Sequence, residues 1–126
     1  MVAQRRNIMG FLDKVKGFLQ KQASKPVMIG EVTGGDFPRY SVQLIRGEEG
    51  NKVFLKAYDG RPDVQLNKED VKEFTTLQNG LTWRWALGGN KVALGNRYKI
   101  VLNSGKGTII NVVQNCASDI EGIFIF

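Results

Sequence analysis

A chain of 126 residues, 42% hydrophobic and 24% charged, is long enough to bury one core and too short for two domains and a linker. The formal charge of +6 is concentrated in residues 1–25, where six basic side chains against one acid give +5, leaving the remainder at +1 and disfavouring a nucleic-acid groove there. The absence of histidine excludes histidine-dependent catalysis and removes the commonest metal ligand, and the lone Cys116 excludes an intrachain disulfide and fits a reducing, cytoplasmic compartment.

The chain opens on a segment, residues 5–23, whose spacing predicts an amphipathic helix. At about 3.6 residues per turn, Ile8, Phe11, Leu12, Val15, Phe18 and Leu19 fall in one arc of roughly 120°, while Arg5, Arg6, Lys14, Lys16 and Lys21 point elsewhere, with Lys25 following. Asp13, Lys14, Lys16, Gln20 and Lys21 interrupt the unbroken apolar run of about 7 to 15 residues that an export signal needs. Met9 offers an alternative start, because the helix would survive without residues 1–8. Half-burying the six apolar side chains would contribute ~5 to 9 kcal/mol before ordering costs, so the stripe is expected to find an apolar partner. Residues 1–25 therefore read as an amphipathic basic helix and 26–126 as a single β domain.

Pro26 disfavours helical geometry at the residue before it, and from there the apolar period changes from 3.6 to 2. Strands are predicted over 27–32, 39–46 (with Tyr40, Val42 and Leu44 on one face) and 52–58, separated by the turns Thr33-Gly34-Gly35-Asp36 and Gly47-Glu48-Glu49-Gly50-Asn51. A short strand at 64–66 leads to a helical turn capped by Asn67, with Val71, Phe74 and Leu77 returning to the core. Asn79-Gly80 opens a strand at 81–87, and Gly88-Gly89-Asn90 and Gly95-Asn96 read as reversals around strands at 91–94 and 97–102. Residues 108–113 form a further strand, and Ile123-Phe124-Ile125-Phe126 reads as a last one, too apolar to lie free in water. Fifteen glycines and strands every ~8 to 12 residues predict a mainly β antiparallel barrel or sandwich with one N-terminal amphipathic helix.

The run from Lys52 to Tyr58, Asp59-Gly60, Val64-Gln65-Leu66 and Asp70-Val71-Lys72-Glu73-Phe74, followed by Arg97-Tyr98-Lys99-Ile100-Val101-Leu102, resembles small bacterial PH-like and GRAM-like domains. The resemblance covers residues 39–113 and rests on generic apolar spacing. It implies a lipid-, peptide- or subunit-binding module rather than an enzyme. Such domains usually close with a C-terminal helix, where this chain shows the strand-like run 123–126.

Three motifs invite chemical readings. Gly105-Lys106-Gly107-Thr108 lacks the upstream glycine and the Ser or Thr directly after lysine that a phosphate loop requires, and reads as a hairpin turn. Trp83-Arg84-Trp85 sets two indoles on one strand face, where core packing is favoured over a stacking platform. Glu69, Asp70 and Glu73 read as a solvated face at a helix start, with Glu69 and Glu73 aligned. No catalytic residue, metal ligand or cofactor is expected. The expectation is a non-enzymatic binding or assembly module that engages a protein partner or a second copy. Ile8, Phe11, Leu12, Val15, Phe18 and Leu19, or the C-terminal strand, would make that contact. The alternative is a membrane-peripheral module laying Arg5, Arg6, Lys14, Lys16, Lys21 and Lys25 on anionic lipid.

Overall fold

Period-2 alternation of Val, Ile, Leu and Tyr over most of the chain builds strands that bury one face, and the computed structural model, which describes residues 25–87 and 89–125, is mainly β. The strands are β1 (Val27–Gly35), β2 (Tyr40–Ile45), β3 (Lys52–Ala57), β4 (Val64–Leu66), β5 (Val71–Arg84), β6 (Val92–Leu102) and β7 (Gly107–Val113), followed by helix α1 (Ala117–Phe124). They form one antiparallel sheet in the order β4-β3-β2-β1-β7-β6-β5. β4 and β5 do not pair, so the expected closed barrel or two-sheet sandwich is replaced by one open sheet. Leu66 of β4 and Ile100 of β6 nonetheless share one buried cluster with Ile120 and Phe124 of α1. Strands five places apart in a flat sheet would lie about 24 Å from each other, so the sheet must curl round that core. Residues 1–24, and with them the predicted N-terminal helix, lie outside the described residues.

The expected C-terminal strand is corrected to a helix. Ala117, Ile120 and Phe124 are buried and Ile123 is half-buried, an apolar face at helical spacing that begins well before the IFIF run. Read alone, the last four residues show no period, and the decisive part of the pattern lies upstream, with Asp119 in the first turn where the helix dipole favours it.

A predicted strand start and a predicted reversal are also corrected. Asn79-Gly80 lies inside β5 and Gly95-Asn96 inside β6, and the two dipeptides face each other across the ladder: Leu81 pairs with Gly95, the register shifts between Gln78 and Leu81, and the Gly80 amide donates to the Asn96 side-chain oxygen at 3.1 Å. Gly80, at φ +70°, supplies the left-handed residue of this bulge, so what reads as a turn in sequence is an irregularity within one long strand. The helical turn after Asn67 exists only as a short 3-10 turn, Lys68–Asp70. Val71 and Phe74 already belong to β5, so Glu73 is a strand residue and does not share a helical face with Glu69.

Candidate functional site

Two surfaces gather polar or aromatic side chains in arrangements that the core does not require. The first begins at Tyr98 on β6, which is fully buried. Its hydroxyl donates to Glu121 Oε2 on α1 at 2.7 Å and accepts from Asn96 Nδ2 at 3.0 Å. With the Gly80 amide donating to Asn96, a continuous relay runs from the β5 bulge through β6 to the helix. Burial pushes the Tyr98 hydroxyl up to about 12, and the adjacent Glu121 adds to the effect. Phe74 of β5 stacks on both Tyr98 and Phe124, with ring centroids 5.1 and 5.2 Å apart, which fixes the C-terminal end of α1 beside β5. Beyond β5 the sheet ends. Among the described residues its outer edge is unpaired, and Leu77 and Ile125 are large exposed apolar side chains on β5 and just past α1.

The second surface is the sheet face turned away from the core. Register lines up Lys56, Ser41, Glu31, Asn111, Arg97 and Gln78 across β3, β2, β1, β7, β6 and β5. In this row Glu31, Ser41 and Asn111 are buried, although they face away from the core. The β5–β6 connection folds onto Glu31, Ser41 is bonded to the Lys56 carbonyl and Gln43, and Asn111 is bonded to Arg97. The Ala86 amide donates to both Glu31 carboxylate oxygens at 3.0 and 3.1 Å, and the Leu87 amide donates to Oε1 at 3.0 Å. Among the described residues the ion pairs are Arg46–Asp119 and Arg61–Asp59, so backbone N–H groups rather than a described cation meet the Glu31 charge. Burial, with the Glu31 charge second, raises the Tyr58 hydroxyl, and that hydroxyl reaches Met28 Sδ at 3.4 Å. Arg97 Nε donates to Asn111 Oδ1 at 2.9 Å.

Trp83 and Trp85 share one face, as alternation predicts, and it is this outer face rather than that of the main core. They stack at 5.5 Å, form a small cluster with Leu81 that is separate from the main core, and pack against Met28, Ala93 and Val113. A Cβ at Gly95 would run into the Val112 carbonyl and the Trp83 ring, so the close approach of that ring requires glycine. Beside Trp85 lies a cavity of about 320 Å³, lined by Met28, Trp85, Lys91, Val92, Ala93 and Val113.

The residues singled out from sequence are placed unequally. Ile8, Phe11, Leu12, Val15, Phe18, Leu19, Arg5, Arg6, Lys14, Lys16 and Lys21 lie outside the described residues, and Lys25 is exposed at their boundary. The Gly105-Lys106-Gly107 stretch is a turn whose amides are already engaged: Gly105 donates to the Leu102 carbonyl and Gly107 to Asp36 Oδ2. Glu69, Asp70 and Glu73 are exposed, and no group of metal-ligating side chains occurs among the described residues. Cys116 is buried, with Arg46 Nη2 donating to its sulfur at 3.6 Å. Asp119, hydrogen-bonded to the Arg46 guanidinium, holds that group above its ordinary range. Sequence reading missed Glu31, Asn96 and Glu121. Glu31 carried a signal, a lone charge inside the otherwise apolar run Val27–Val32.

The loop end of the sheet, where a basic anion site would be sought, is balanced. Arg39, Arg61 and Lys106 stand among Asp36, Asp59 and Asp63, and Arg61 is held by Asp59 and the Pro38 carbonyl. No helix among the described residues is long and apolar enough to cross a membrane. Comparison of the chain with protein-family models, curated proteins and solved structures finds no match.

Proposed function

We propose that this protein is a non-enzymatic binding and assembly module of PH-like build, which captures an extended segment of a protein partner or of a second copy along the free edge of β5. The observation that carries this reading is the asymmetry of the two sheet edges. β4 is only three residues long and follows Pro62 and Asp63, devices that blunt an edge. β5 runs for fourteen residues without a proline and has no partner on its outer side among the described residues. It carries the exposed Leu77, and the exposed Ile125 follows α1, whose Phe124 stacks on Phe74 of β5. Main-chain groups of β5 supply the hydrogen bonds of strand addition, and the apolar side chains supply contact area. The bulges divide the edge, so the regular runs available to a partner are short, residues 73–76 and 81–84.

The PH-like reading is supported by the antiparallel order with β1 beside β7 and by a closing C-terminal helix in place of the strand expected at 123–126. A balanced loop end favours a protein partner over an anionic headgroup at that end. Size-exclusion chromatography with light scattering tests the proposal. A defined oligomer that Leu77→Lys or Ile125→Lys dissociates, with thermal stability unchanged, supports it. A clean monomer that sediments with anionic vesicles and is released by moderate salt overturns it in favour of a membrane-peripheral module.

A further inference from the structure

We infer that the apolar stripe of residues 8–19 docks in cis on the outer sheet face, seating large side chains in the cavity beside Trp85. Three observations converge on this occupant. The cavity walls are chiefly apolar, from Met28, Trp85, Ala93 and Val113, with Lys91 at the margin, so it suits aliphatic or aromatic side chains better than a polar ligand. It also lies on the face opposite the main core, where the Trp83–Trp85 cluster is too small to be a core of its own. Finally, the described chain enters at Lys25-Pro26, and Met28, a cavity wall, stands two residues further on. Eight residues, 20–27, separate the end of the stripe from that wall. Such a connector spans at most about 28 Å when extended, ample for a segment that must only fold back beside its own point of entry.

Charge is consistent with this arrangement. At the helical spacing read from the sequence, Arg5, Arg6, Lys14, Lys16 and Lys21 fall outside the stripe, so docking its apolar side would leave them in water. The contact is apolar and independent of the β5 edge, so it stands or falls separately from strand addition. A second copy could present the same stripe, but the short connector gives the tethered segment a much higher effective concentration.

A photo-crosslinking residue carrying a benzophenone, placed at Lys91 in the full chain, tests the inference without assuming a register. Illumination is expected to give adducts on residues 8–19 at monomer mass, mapped by mass spectrometry, whereas the same probe at Lys52 on β3 gives none there. Phe11→Ser with Leu12→Ser is expected to abolish the adducts while the β-type circular dichroism is retained. Both tryptophans of the chain sit at this face, so the same variant should shift tryptophan emission to the red. Adducts to 8–19 found only at dimer mass overturn the inference in favour of a second copy. Adducts that miss 8–19, or that survive the double serine variant, overturn it outright.

Discussion

Tyr98 is the residue whose chemistry most constrains the fold. Its hydroxyl is buried and must keep its proton to donate to Glu121. The folded state therefore holds this group at about 12, against about 10 in an unfolded chain, so the native state binds the proton more tightly. The stability it contributes is fully present below about pH 10 and is lost as pH rises from about 10 to 12, an effect of about 2 to 3 kcal/mol. Tyr98→Phe is expected to destabilise the protein by about 1 to 3 kcal/mol at pH 8, because Asn96 and Glu121 lose a buried partner. Above pH 11 the gap between the two proteins should narrow, as read from urea melts across that range. A gap that stays constant with pH would show that the hydroxyl does not carry the alkaline transition. At Glu31 the expectation is kinetic. Glu31→Gln replaces one acceptor oxygen by a donor facing the Ala86 and Leu87 amides, so hydrogen exchange at those two amides should accelerate roughly 10-fold or more, in line with the loss of a charge-assisted bond.

At the scale of elements, the register of β5 against β6 depends on matched irregularities. Gly95 admits the Trp83 ring and the Val112 carbonyl, and the neighbouring Asn96 holds the Gly80 bulge. Gly95→Ala is expected to cost about 1 to 3 kcal/mol or more from overpacking against backbone that cannot yield. Gly89→Ala should cost less, because a Cβ there meets nothing and only its φ of +85° opposes it. Thermal melts of the two variants rank them, and equal losses would mean that the close approach at Gly95 is not the cause. The same region shows what the sequence made legible. Strict alternation identified Tyr40, Val42 and Leu44 on one face, and all three are buried. Where glycine and asparagine interrupt a strand, the local chemistry of a bulge and of a hairpin turn is the same, and only the partner strand decides between them. The helix α1 is illegible for a related reason: Ile123 to Ile125 is an apolar run without a period, and the face that orders it is set by Ile120 and Phe124 packing into the core of the sheet. The candidate surfaces were less legible still. The edge of β5 exists only once the strand order is known, and Glu31 is buried by a segment more than fifty residues away in sequence.

At the scale of the whole molecule, one continuous core runs through the described β body and α1. Among the described residues, side chains of every strand from β1 to β7, together with Ile120 and Phe124, pack into or against one cluster. A chain beginning at Ser24 is therefore expected to fold, with a β-type circular dichroism spectrum and a single cooperative thermal transition. If the stripe of residues 8–19 docks on the outer face as inferred, the shortened protein should melt at a lower temperature. Apolar area now covered by the stripe would then be exposed beside Trp85, and at about 25 cal/mol per Å² even a modest contact is worth a few kcal/mol before ordering costs. The loss should be insensitive to salt, since apolar contact is not screened. Binding of an environment-sensitive dye to the shortened chain should rise in parallel, and Ala93→Lys, which crowds the same face, should reproduce part of the melting loss in the full-length protein. A shortened chain that melts without cooperativity would place the stripe inside the folding unit. One that melts at the same temperature as the full chain would show that the outer face carries no bound segment.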